Sequence, residues 1–241
     1  MTKKNNNNFR KVLIENLNSL LFALIAATLI RSFAYEPFRI PSSSMKPTLL
    51  IGDFLFVNKY IYGFSKHSLP FSPNLWDGRV LKFGKPKRGD IVVFHKKNDD
   101  STYYIKRIVG LPGDKIQMRG GVLFINNNPV PKRFEDVYSD EEYKNVAKFI
   151  EKIDGKEFYV LDVYENGALD NTEKYNVPEN HYFMMGDNRD FSNDSRLDIG
   201  FVPEENIVGR ADVIFFSISD SFLKFWEWPN SIRINRILNL L

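Results

Sequence analysis

The most ordered pattern of apolar and polar positions lies at the start of the chain. Residues 16–30 carry no charge and are mostly Leu, Ile, Ala and Phe, behind the basic residues Lys3, Lys4, Arg10 and Lys11. Fifteen residues fall short of the roughly 20 that a bilayer needs. Phe33, Ala34 and Tyr35 lengthen the stretch if Arg31 snorkels to the headgroups. The pattern predicts a membrane anchor over 16–35, with a cytoplasmic N-terminus over 1–15, because basic flanks stay inside. The polar tract at 5–8 is expected to be a disordered cytoplasmic start. A cleaved secretory leader has the same basic and apolar regions, and this stretch alone does not separate the two.

From Phe38 onward the period changes to that of strands. Asp53-Phe54-Leu55-Phe56-Val57-Asn58-Lys59-Tyr60, Asp90-Ile91-Val92-Val93-Phe94-His95 and Tyr104-Ile105-Lys106-Arg107-Ile108-Val109 are β-branched and aromatic runs bounded by Gly, Pro and Asp. Gly121-Val122-Leu123-Phe124-Ile125, the turn Asn126-Asn127-Asn128 and Pro129-Val130 predict a hairpin. Strand signals return at 181–185 and 207–218. The expected fold is mainly β, with a core over 36–116 and 181–220 and an inserted smaller β subdomain over 117–180. A short helix is expected near 141–152. The tail, 221–241, spaces Ile234, Ile237, Leu238 and Leu241 as an amphipathic helix would, with Arg233 and Arg236 among them. Such a helix either lies on a membrane or packs on the core.

Composition narrows the function classes. The chain has 241 residues, 43% of them hydrophobic and 26% charged, enough for one good core. A net charge of +3, with acids and bases interleaved, gives no stripe for nucleic acid. The absence of cysteine excludes disulfides, thiolate metal sites and a thiol nucleophile.

Candidate chemistry gathers in three segments. Ser42-Ser43-Ser44-Met45-Lys46-Pro47 follows closely on the apolar stretch. A serine hydroxyl needs a base, and His67, His95 and His181 stand in no triad context and are expected at the surface or in turns. A lysine serves only if desolvation lowers its pKa from about 10.4. Lys106, among β-branched residues, has the neighbours for that, although a solvated lysine is the commoner fate of a strand position. Ser43-Ser44-Met45-Lys46 imitates the S-x-x-K pattern of penicillin-recognising enzymes. Pro47 disfavours helical geometry at Lys46, and the companion motifs are missing. The third segment, Gly186-Asp187-Asn188-Arg189-Asp190-Phe191-Ser192-Asn193-Asp194-Ser195-Arg196, suggests a calcium loop. Counted from Asp190, however, it lacks the glycine at position six and the glutamate at position twelve.

These segments, with Gly52-Asp53, Arg88-Gly89-Asp90-Ile91-Val92-Val93-Phe94 and Tyr104-Ile105-Lys106-Arg107-Ile108-Val109-Gly110-Leu111-Pro112-Gly113-Asp114, stand in fixed order behind an apolar N-terminus. Together they closely resemble the bacterial type I signal peptidases (leader peptidases), over most of 38–60, 88–114 and 185–210. The resemblance implies the coiled β-sheet catalytic domain of that family on one transmembrane helix. It also implies a serine–lysine endopeptidase that cuts signal peptides from exported preproteins after small residues, without metal or cofactor. Ser44 would be the nucleophile and Lys106 the general base, with the Ser42 hydroxyl and the Ser44 N–H as oxyanion hole. Ser192 would orient the lysine, and Asp194, Arg196 and Asp187 would brace the site. Phe38, Ile40, Pro41, Met45 and Leu49 match positions that line the substrate pockets, as do Leu55, Val93, Tyr104 and Ile105. The motif glycine is replaced by Ser43. The implied setting is the bacterial inner membrane, single-pass, with the N-terminus cytoplasmic and the domain outside. Signal peptides, the lipid bilayer and nearby secretion machinery would be the partners.

Two other readings carry different expectations. A self-cleaving repressor of similar chemistry would need a DNA-binding domain where the apolar stretch stands. An inactive membrane-tethered module would have lost the serine or the lysine, and both are present.

Overall fold

One helix, Thr2–Phe33, precedes the sheets. Its stretch Arg10–Leu29 has a mean hydropathy of 1.8 and none of it is buried against the rest of the protein, so by length and composition it suits a bilayer. The helix takes in the tract at 5–8 that was expected to be disordered, and it stops at Phe33, so Tyr35 opens the first strand instead of completing the anchor. Tyr35 pairs across to Asn58, and the next residue, Glu36, is buried between Arg31 and Lys59 at 2.8 and 2.9 Å. The computed structural model describes residues 2–69, 73, 76, 78–97, 99–219 and 228–241.

The protein is mainly β. Among the described residues an eight-stranded sheet runs in the order Tyr35–Arg39, Asp53–Asn58, Ile207–Ser217, Ile91–Lys96, Asp99–Gly110, His181–Met185 and Val202–Pro203, with Asn239–Leu240 added to Ile207–Ser217. Ile91–Lys96 lies centrally and is buried at five successive positions, the sign of a strand covered on both faces. Ile91 and Val93 pack with Ile40, Met45, Leu55 and Ile105. Val92 and Phe94 pack with Ile108, Tyr182, Met184 and Ile207. The period of two therefore divides the core into two layers.

Residues 117–180 form strands that share a core with this sheet. Met118, Leu123, Ile153, Phe158 and Val160 close on Val109, Ile116, Phe183 and Met185. Each such side chain contributes roughly 2 kcal/mol on burial, which ties the insert firmly to the sheet. The hairpin forms as expected, with Asn126 and Asn127 both at positive φ, the conformation a two-residue turn of this type requires.

Three further expectations fail. Residues 141–152 are not helical: after a turn, Val146–Ile153 is a strand paired on both edges. Asp140 does gather the N–H groups of Glu142 and Tyr143, as a helix cap would. Asn145 then turns to positive φ, and the chain joins the sheet with Val146, Ile150 and Ile153 buried. The C-terminal stripe is likewise no helix. It comprises one tight turn, Ile234–Arg236, and the strand Asn239–Leu240. Arg236 is drawn to the buried Asp53 at 2.6 Å, and the edge of Ile207–Ser217 takes the last residues as a partner. Residues 221–227 of that tail lie outside the described residues. His67 and His95, finally, are buried with their rings 4.5 Å apart, in the interior where surface or turn positions were expected.

Candidate active site

Residues 40–53 form a loop closed on itself. Ile40 N–H donates to Asp53 C=O (2.8 Å) and Gly52 N–H to Ile40 C=O (3.0 Å). Gly52 stands at φ +87°, and a Cβ there would lie 1.9 Å from the Ile218 carbonyl, so only glycine closes this turn. Met45 and Leu49 are wholly buried and hold the loop on the core. Ser44 sits between these fixed points with 7% exposure. Asn188 steadies it by donating its N–H to the Ser44 carbonyl (3.1 Å) and its side-chain amide to the Ser43 carbonyl (3.3 Å).

Lys106 comes from the middle of Asp99–Gly110, opposite Val92. Its Nζ donates to Ser44 Oγ at 2.7 Å and to the Ile105 carbonyl at 2.8 Å. The side chain is 4% exposed. Burial lowers its pKa from 10.5 to about 8, against the opposing pull of the Asp194 and Asp187 charges. A lysine in this state supplies a neutral amine just above neutral pH, and the contact then reverses, with the Ser44 O–H donating to the free lone pair. The structure therefore brings the two residues singled out in the sequence into direct contact.

The other expected residues are placed as follows. Ser42 Oγ lies 3.4 Å from Ser44 Oγ on the exposed side of the loop. Asp194 is fully buried and binds Arg196 through both oxygens, at 2.9 and 2.8 Å, while accepting the Gly186 N–H at 3.0 Å. Burial pushes the Asp194 pKa up, but Arg196 and these N–H groups outweigh it and keep it below the usual carboxylate range. Asp187 accepts two bonds from Arg107, at 2.8 and 2.6 Å, and one from Thr48 at 2.6 Å. Ser192 is buried, and its Oγ has no partner and makes no hydrogen bond to Lys106. Gly186 is the reason the pieces fit. A Cβ there would come within 2.2 Å of Ser192 Oγ and 2.5 Å of the Ser44 carbonyl oxygen.

Of the pocket positions, Ile40, Met45, Leu49, Leu55, Val93 and Ile105 form one buried cluster with Phe38 against its edge. Pro41 is exposed. Tyr104 packs in the opposite layer, with Phe94 and Ile108. Several residues were not foreseen: Arg107 on Asp187, Asn188 on the serine loop, and the buried pair Arg189–Glu151, bidentate at 2.6 Å. Arg107 could have been found, since a charge inside an apolar strand needs a partner. Asp162, Asp170 and Asp190 each offer an oxygen within 4.8 Å of the others. These carboxylates already accept from Lys132, Gly167 N–H, and Val163 and Tyr164 N–H.

The family description "Signal peptidase, peptidase S26" matches residues 13–216. Signal peptidase I of Rickettsia canadensis (strain McKiel) is 39% identical over 260 positions, covering 100% of this chain and 97% of that protein. Signal peptidase I of Rickettsia prowazekii (strain Madrid E) is 39% identical over 258 positions, covering 99% and 97%. A signal peptidase I crystal structure from Enterococcus faecalis V583 is 31% identical, covers 53% of this chain and 97% of that one, and superposes with a TM-score of 0.32. With its serine loop, its buried lysine and this full-length similarity, the chain belongs to the signal peptidase family, peptidase S26, and is a peptidase.

Proposed function

We propose that this peptidase cuts signal peptides from exported preproteins with Ser44 as nucleophile and Lys106 as general base. The observation that carries the reading is the 2.7 Å contact between a buried lysine amine and a serine hydroxyl, with the amine at about 8. The neutral Lys106 takes the Ser44 proton as Oγ attacks the scissile carbonyl. The Ser44 N–H and the Ser42 hydroxyl stabilise the oxyanion. Lys106 then returns the proton to the departing amine, and a water activated by the same lysine hydrolyses the acyl-enzyme. Asp194 with Arg196, and Asp187 with Arg107, hold the walls of the pocket. Ser192, buried with its Oγ unpartnered, is the group to which this reading gives the orienting of the lysine.

Specificity for small residues follows from how little room the cluster leaves. Ile40 and Leu49 of the serine loop pack in one buried cluster with Leu55, and this reading gives the substrate a shallow apolar recess that accepts side chains near alanine in size. The helix Thr2–Phe33 anchors the enzyme in the bacterial inner membrane, its basic start in the cytoplasm and the sheets outside. Ser44 then lies eleven residues beyond the helix end, close to where a membrane-embedded signal peptide presents its cleavage point. Incubation of the full-length protein with a preprotein in detergent tests the dyad. Processing lost in both Ser44→Ala and Lys106→Ala, with folding intact, supports it, and processing retained in either rejects the assignment.

A further inference from the structure

We propose that Lys46 is a positioning residue for the nucleophile, acting as one half of a clamp between the serine loop and the turn at 140–143 of the insert. This inference rests on the assignment of Ser44 as nucleophile. Lys46 stands two positions after Ser44, yet its side chain goes to the insert and not to the dyad. Its ammonium lies 2.7 Å from Asp140 Oδ2 and 2.8 Å from Glu142 Oε2, and 4.9 Å over the ring of Tyr143. Only 7% of the side chain is exposed. On the other side of Ser44, the Ser43 hydroxyl donates to Glu142 Oε1 and lies 3.1 Å from the Tyr143 hydroxyl. One carboxylate thus grips the chain on both sides of the nucleophile, one oxygen to each. Ser43, the departure from the motif glycine, supplies the second grip.

The turn that provides the grip is itself rigid. Asp140 Oδ1 accepts the N–H groups of Glu142 and Tyr143, and Oδ2 accepts the Tyr138 hydroxyl at 2.6 Å. The insert strand that follows is locked to the 186–190 loop through Arg189 and Glu151. The Ser44 carbonyl is already held from that loop by Asn188. Lys46 therefore closes a ring of contacts through which the insert fixes where Oγ sits relative to Lys106. The ammonium is buried while its two carboxylates are partly exposed, so the contact adds little net stability and acts here by fixing where the loop lies. A displacement of the nucleophile by about 1 Å costs roughly 100-fold in rate.

The test compares Lys46→Met, Glu142→Gln and Lys46→Arg in the full-length protein with a preprotein substrate, reading kcat, KM and the thermal midpoint separately. Lys46→Met and Glu142→Gln are expected to lower kcat by about 10- to 100-fold with KM within about threefold. Lys46→Arg should keep most of the rate, since a guanidinium spans both carboxylates. The double variant should be no slower than the slower single one. Unchanged kcat in folded Lys46→Met and Glu142→Gln, with only the thermal midpoint lowered, overturns the proposal. If Lys46→Met fails to fold, Glu142→Gln decides, because its side chain is 45% exposed and its loss is tolerable to folding. Ser44→Ala measured alongside separates the two claims. Processing retained there removes the nucleophile assignment, whereas processing lost there but intact in the clamp variants removes the clamp alone.

Discussion

Lys106 touches Ser44 at 2.7 Å and forms no ion pair with either nearby acid, because Arg196 and Arg107 hold Asp194 and Asp187. This division of partners is what lets burial prevail. A carboxylate bound to the lysine would keep it charged. With each acid matched to its own arginine, burial dominates and the amine drops to about 8.

The rate should therefore follow the neutral amine. Below about 8 the lysine is mostly protonated and cannot accept from Ser44, so kcat should rise about tenfold per pH unit and level off above. Single-turnover cleavage from pH 6 to 10 reads this directly. A rate flat across that range, with chemistry limiting, would remove Lys106 from the role of base.

The same shift makes the lysine costly to fold. Its folded pKa, about 8, is below the ordinary 10.5. Between those values the unfolded chain binds a proton that the folded one lacks, so stability rises with pH there, and below about 8 the full penalty applies. At 1.36 kcal/mol per unit the penalty is about 3 kcal/mol at neutral pH, less what the two hydrogen bonds return. Lys106→Met should abolish processing yet raise the thermal midpoint at pH 7 by several degrees. The gain should shrink as pH approaches 10. A midpoint lowered at pH 7 would contradict the desolvation account.

Gly186 makes the packing of the site dependent on a missing methyl group. In Gly186→Ala the new Cβ would meet Ser192 Oγ at 2.2 Å, Ser192 Cβ at 2.4 Å and the Ser44 carbonyl at 2.5 Å. Two of these are not flexible tips, so the Ser44 loop must shift. A fall in kcat of about 100-fold is expected, together with loss of about 1–3 kcal/mol from overpacking, read by kinetics and denaturant melts.

What was legible in the sequence divides along physical lines. Strand positions such as 91–95 and 104–109 announced themselves through β-branched runs, because burial on both faces leaves no alternative pattern. The Ser44–Lys106 contact was open to expectation because both residues sit in long motifs. The turn at 140–145 misled for the opposite reason. Asp140 gives a local helix-start signal, and only the distant pairing of Val146–Ile153 with two strands overrides it. In the sequence Lys46 shows only as a lysine before a proline. Its partners, Asp140 and Glu142, lie 94 and 96 residues away, and no spacing in the chain marks them. The tail at 233–241 has a helical apolar period in its sequence, but Arg233 and Arg236 go to Asp53, a contact that no helical wheel displays.

Ser42 offers a cleaner test of charge stabilisation. Its hydroxyl is exposed, 3.4 Å from Ser44 Oγ, and supports nothing in the core. Ser42→Ala should lower kcat by about 100- to 1,000-fold, the usual loss for one oxyanion donor. KM and the thermal midpoint should hardly move, since the interaction forms only in the transition state. A KM effect of similar size would instead place Ser42 in ground-state binding.

The helix Thr2–Phe33 separates fold from location. From Arg10 to Leu29 it buries nothing against the sheets. Its link to them includes Arg31, 66% exposed, on Glu36, an exposed arm worth little. Glu36 keeps Lys59 when Arg31 is gone. A variant beginning at Ala34 should therefore fold with a thermal midpoint within a few degrees of the full chain. It should cleave a soluble signal-peptide fragment at a kcat within about threefold of the full chain, as expected for a uniform change that leaves the dyad alone. What it should lose is flotation with vesicles and efficient processing of a membrane-inserted preprotein, because the effective concentration of site and substrate in one bilayer is gone. Flotation unchanged in the variant would mean that the sheets, with Ile234, Leu238 and Leu240 exposed at their edge, hold the membrane without the helix.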